Sequence, residues 1–318
     1  MNVIGNHKPA ARRPCDKTLR RHLQERPRDV LQARDTFTID NYQSLGVQPS
    51  ELTAGARVVE TALEDLGEPR IFVNRSLKSA LETLREGGPF STIFDKAKDP
   101  ELSQDERDGI EFYLLGREAR EKHLGTHGED CLAGHTVYGS LGFSESLSQE
   151  MWDDQLLDPP AATERHLNSG ISLTDGAVTF VMKPEVNARS TFLPSDTYDT
   201  KREKPVAEEH LPFAIWANIG SKGDMYFSDP RGSQVLLDLP SEQAEESVKS
   251  FLTSDAINRG YMEAQIRGAT LDDVERIVVR RHSANNGSQT EFGSLEEGLL
   301  EVKRLAALRG IPCSEATE

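Results

Sequence analysis

The sequence predicts a mixed α+β fold. Strand-like and helix-like segments follow one another without the regular βαβ rhythm of a doubly wound sheet, and no glycine-rich phosphate loop follows a predicted strand. The chain is 318 residues long and holds no run of about 18 apolar residues, so the sequence offers no membrane span.

The elements come in order. LTAGARVVETALEDLG (52–67) has helical spacing and stops at Gly67, and PRIFVN (69–74) reads as a short strand. SLKSALETLREGG (76–88) is a second helix, closed by its glycine pair. Ser103 and Glu106 make a capping-box pattern that opens a long helix over 103–125. TVYGSLGF (136–143), GAVTFVMKP (176–184), QVLLDL (234–239), YMEAQIRG (261–268) and ERIVVRR (275–281) read as strands. A helix, SEQAEESVKSFL, precedes the fourth of these, and Ser294 with Glu297 caps a last helix that Gly310 and Pro312 close.

Charge divides the chain. Residues 1–35 carry nine Lys and Arg against four Asp and Glu, leaving 28 against 49 in the rest, within a net charge of -16. So acidic a body repels phosphate backbones, which speaks against nucleic acid as the main partner. The polar, basic residues 1–50 are expected to form a mobile segment, removable to about residue 45 without unfolding the rest, with 51–318 as a single domain. Its composition fits either a solvated tail or the leader of an exported bacterial effector. The N-terminus has no apolar core of a Sec-type signal peptide, and Cys15, Cys131 and Cys313 form no spaced pair. Both point to free thiols in a bacterial cytoplasm, with export into a host cell as the alternative destination.

Two regions are dense in chemistry-bearing side chains. His123, His127, Cys131 and His135 stand four residues apart. On a helix each such step turns by about 40°, so the set diverges, and Gly125, Gly128 and Gly134 mark the stretch as a loop rather than a metal centre. In the second region a strand ends at Pro184, and Arg189, Ser190, Thr191, Asp196 and Thr197 crowd into a loop with Phe192 and Tyr198. Such a loop beside a sheet end suits a binding site, or is an ordinary turn. In YMEAQIRG, Met262, Ala264 and Ile266 point one way and Glu263, Gln265 and Arg267 the other. The polar face either meets water or lines a cleft.

Several segments carry a resemblance. YGSL (138–141), VTFVMKPEVNARSTFLPSDT (178–197) and YMEAQIRG with LDDVERIVV (261–279) resemble, in order, an uncharacterised bacterial domain of unknown function. GGPFSTIFD (87–95) and ERDGIEF (106–112) echo its earlier segments, so that the similarity spans roughly 70–280. Ser195, Asp196 and Thr197 stand where that family usually has Gly-Asp-Ser, and Arg267 where it has histidine. More distantly, the chain resembles the ADP-ribosyltransferase superfamily, in which an early strand offers Arg or His, a later one an aromatic-Ser-Thr run, and a late strand the glutamate. Here those are Arg75, Phe90-Ser91-Thr92 and Glu263, with Gln265 in place of the second glutamate of the motif.

That resemblance implies an ADP-ribosyltransferase-like mixed sheet with flanking helices, and an enzyme that transfers ADP-ribose from NAD, its substrate, to a protein. It implies Glu263, Gln265 and Ser91 as catalytic residues, with Arg75, Thr92, Tyr138, Arg189, Phe192 and Asp196 holding NAD. An arginine fork suits the pyrophosphate, a carboxylate suits the ribosyl cation, and a Tyr138 or Phe192 ring suits nicotinamide. Each residue also has a plain structural reading, Arg75 as a surface cation and Glu263 as a solvated strand carboxylate. Two other function classes stand beside this one: a non-catalytic effector or binding module using the same groove to capture a protein, and a metal-dependent hydrolase built on His123, His127, Cys131 and His135.

Overall fold

The computed structural model describes residues 30, 33–34, 37–39, 42, 47–91, 136–143, 175–195, 204–226, 233–253, 262–279 and 294–315. The expected helix over 103–125, the four His and Cys residues between 123 and 135, Thr92 and Asp196 lie outside them. Among the described residues, β1 (Arg70–Ser76), β2 (Thr136–Gly142), β3 (Asp175–Met182), β4 (Ser190–Leu193), β5 (Glu263–Arg267), β6 (Val274–Val279) and β7 (Cys313–Glu315) form one sheet. Its order is β4-β5-β2-β1-β3-β6-β7, antiparallel throughout except for the parallel β6–β7 pair. With α1 (Pro49–Leu66), α2 (Leu77–Glu86), α3 (Leu211–Tyr226), α4 (Gln234–Leu237), α5 (Ser241–Thr253) and α6 (Leu295–Leu308), this is the α+β class expected.

Local sequence explains much of it. Leu52, Ala56, Val59 and Ala62 recur at helical spacing on the buried side of α1, and Gly67, at φ 78°, donates its N–H to the Leu63 carbonyl to close the helix. Ser294 accepts the Glu297 N–H at 3.2 Å, capping α6 as its spacing anticipates. One expectation is corrected: QVLLDL is the single helical turn α4, not a strand. Four apolar residues are too short a run for periodicity to separate helix from strand, and here Leu236 is buried while Val235 and Leu237 are half-buried.

All of these helices contribute to one core on one face of the sheet. Ile71, Val73, Val137, Leu141, Val178, Phe180, Phe192, Ala264, Ile266, Ile277 and Val279 supply the sheet's side of it. Trp216 of α3 is fully buried there and crosses α1 at Gly55, where a Cβ would lie 1.9 Å from the indole. The core also reaches back into the segment expected to be mobile. Tyr42 is fully buried, Phe37 stacks on His210 with centroids 4.3 Å apart, Val30 and Ala33 pack on Ala207, and Arg34 pairs with Glu209 at 2.8 Å. The packed body therefore begins by Val30, because apolar side chains spaced through a basic stretch find apolar partners on the residues leading into α3.

Candidate functional site

The polar side of β5 is defined by pairing. Antiparallel partners directly opposite each other project to the same side of a sheet. Glu263 lies opposite Ser140 of β2 and Leu193 of β4; Gln265 lies opposite Tyr138 and Thr191; Arg267 lies opposite Thr136. Ser140 in turn faces Phe72 of β1, which places Phe72, and two residues on Asn74, on this same side. The face away from the helices thus gathers Thr191, Glu263, Gln265, Arg267, Thr136, Tyr138, Ser140 and Asn74 from four neighbouring strands. Phe72, Val181 and Val278 form a small separate apolar cluster beside them.

This is not a water-facing surface. Glu263, Gln265 and Thr191 are 2 %, 1 % and 1 % exposed, and Arg267, Thr136 and Ser140 are buried as well, whereas Tyr138 and Asn74 are half-buried. Buried polar groups persist when they satisfy one another, and Thr191, Gln265 and Glu263 do. The Thr191 hydroxyl donates to Gln265 Oε1 at 3.0 Å, and Gln265 Nε2 donates to Glu263 Oε1 at 2.8 Å. On the β1 side the Thr179 hydroxyl donates to Asn74 Oδ1 at 2.6 Å.

The residues expected at a site fall into two groups. Glu263, Gln265 and Tyr138 come together on the polar face. Arg75 does not join them: three residues beyond Phe72 and opposite Val178, it projects to the helix side, with its guanidinium carbon 5.7 Å from the centre of the Phe90 ring. Phe90 meets Phe180 edge-on in the core and donates its N–H to the Ala269 carbonyl at 2.9 Å. Ser91, its neighbour, therefore sits past the far end of β5 from Glu263, a strand about 13 Å long. Phe192 points into the core beside Ala264.

Arg189 is a brace. Its Nη1 donates to the Arg267 carbonyl at 2.9 Å, and its Nη2 forms an ion pair with Asp273 Oδ1 at 2.5 Å. Asp273 also takes the Thr270 N–H at 2.7 Å, so the arginine ties the end of β5 to the turn before β6. The expected binding loop is in part a strand: STFL pairs with EAQI, Ser190 to Ile266 and Leu193 to Glu263.

No protein-family model matches the chain, and no curated protein matches its sequence at a significant level. Residue and register are therefore what speak for the site. They bring in two residues that the sequence reading did not select. Ser140 is the serine that faces Glu263, and Asn74, not Arg75, is the β1 polar side chain on that face. A signal for Ser140 existed, since it shares the alternation of Tyr138 in YGSL. For Asn74 the signal was the parity of β1, where the apolar residues Ile71 and Val73 claim the core side along with Arg75.

Proposed function

We propose that the polar face around Glu263 is a catalytic site and that the protein is an NAD-dependent ADP-ribosyltransferase-like enzyme acting on a protein. The observation that supports this most is that β1, β2 and β5 are neighbours in the sheet and present Asn74, Ser140 and Glu263 on one side. Early, middle and late strands then contribute in the order the superfamily resemblance implies, with Ser140 in the place first read for Ser91.

In such a transfer the bond between ribose C1′ and the nicotinamide nitrogen breaks, nicotinamide leaving with the electron pair. A nucleophile of the acceptor protein supplies a new pair to C1′ and gives up its proton. Glu263 would stabilise the positive charge that develops on the ribosyl group, Ser140 would face the carboxylate, and the half-buried Tyr138 ring would stack on an aromatic portion of the substrate. Arg267, on the same strand as Glu263, is a cation of this face that suits a pyrophosphate, in place of Arg75.

The test is to incubate purified protein with NAD and quantify released nicotinamide. Wild type should release it, and Glu263→Gln should fold normally while losing about a hundredfold or more in turnover, the usual cost of one transition-state charge contact. Absence of release from folded wild-type protein would overturn the proposal. It would favour instead a non-catalytic module that captures a protein through the same face, the reading that the placement of Arg75 on the helix side supports.

A further inference from the structure

We infer that Thr191 is a positioning residue for Glu263 that acts through Gln265, an inference that rests on the reading of Glu263 as the reacting carboxylate. The geometry is a relay across two strands. Thr191 lies directly opposite Gln265, its hydroxyl donates to Oε1 at 3.0 Å, and the amide Nε2 donates to Glu263 Oε1 at 2.8 Å.

A primary amide has two nearly isosteric ends, and only one orientation helps a carboxylate. With Nε2 toward Glu263 the contact is a hydrogen bond to an ionised acceptor; turned over, the amide would set one oxygen lone pair against another. In a site where these three side chains are at most 2 % exposed, water is a poor substitute for either partner. The carboxylate, which only accepts, selects that orientation, and the Thr191 hydroxyl donates to the Oε1 end and holds the amide in place.

Thr191 is itself rigidly placed. The next residue, Phe192, is buried in the core and exchanges both backbone hydrogen bonds with Val206 at 2.9 Å, while β5 holds the other edge of the strand. The hydroxyl thus acts as a fixed point from which the amide, and through it the plane of the Glu263 carboxylate, is set.

The experiment compares Thr191→Val, Thr191→Ser, Gln265→Leu and the Thr191→Val/Gln265→Leu double variant by two readouts. One is the side-chain amide resonance of Gln265 in 15N-labelled protein without NAD; the other is steady-state nicotinamide release. Thr191→Val should broaden or split the Gln265 resonance and lower kcat about tenfold while leaving KM within about twofold, and Thr191→Ser should restore both. In the Gln265→Leu background the valine should cost no more than about twofold, because the relay is already broken. Thr191→Ala gives the same comparison if the valine is not accommodated. An unchanged Gln265 resonance in Thr191→Val, or an equal loss of kcat with and without Gln265, would overturn the inference. If wild type releases no nicotinamide, the functional proposal fails and the amide resonance alone decides the positioning.

Discussion

His210 sits where the N-terminal segment meets the body, stacked on Phe37 and beside Phe213. Burial holds its imidazole below the ordinary histidine value, opposed by the Glu209 carboxylate and reinforced by the Arg34 guanidinium. A histidine whose folded-state value is lowered binds its proton more readily in the unfolded chain. Stability from this group is therefore whole above about pH 6.5 and is lost as pH falls through the folded value. Wild type should lose melting temperature relative to His210→Phe between about pH 7.5 and about pH 5, and parallel melting curves would refute this. Single residues were legible where alternation alone decides: Met262, Ala264 and Ile266 go to the core, and Glu263 and Gln265 to the other side. Ser140 and Asn74 had only the parity of their own strands to mark them, because which polar residue shares a face with Glu263 depends on the long-range pairing of β2 with β5 and of β1 with β2.

Among the longer helices, those with a wet side announced themselves and the one packed nearly all round did not. α1 has a clear apolar stripe and a glycine stop, whereas α3 buries Ala214 through Ile219 consecutively and so shows no stripe at all. β4 is four residues long and buried throughout, which in sequence cannot be told from a loop rich in Ser and Pro. Arg75 shows the same ambiguity from the other side: a charged residue at a strand end looks like a ligand clamp until its partner strand gives its direction. The contact of α1 with α3 rests on the absence of a side chain at Gly55. Gly55→Ala should destabilise the fold by about 1–3 kcal/mol or more, since the indole has no room to yield within the core. Gly88→Ala, where a Cβ would meet nothing within 4 Å, should change stability by less than about 0.5 kcal/mol. Urea melts of the two variants make the comparison, and equal midpoints would show that Trp216 repacks freely.

For the whole molecule, the α+β class was legible and the sheet order was not. Propensity reports that strands exist; their order is set by which apolar faces meet once the chain is compact. The boundary at residue 50 was drawn on charge, and charge missed Val30, Phe37 and Tyr42 among the Lys and Arg. Deleting residues 1–45 should therefore lower the melting temperature by about 5 °C or more, as expected when several buried side chains leave a core. An unchanged melting temperature would mean that those contacts contribute nothing. No described helix is long and apolar enough to cross a membrane.

The pairing of β2 with β5 also has a consequence in time. Ser140 and Glu263 are joined across 123 residues of intervening numbering, and β5 is the strand that lies between β2 and β4 in the sheet. During synthesis β2 and β4 leave the ribosome long before the strand that must lie between them, at a few residues to some twenty per second. For those seconds β2 pairs with β1 on one side and offers an open edge of backbone donors and acceptors on the other, the kind of edge that chaperones shield and aggregation exploits. Nascent chains arrested at residue 250 should accordingly be more protease-sensitive around 136–143 than chains released at full length, because the strand that carries the glutamate is then still unmade.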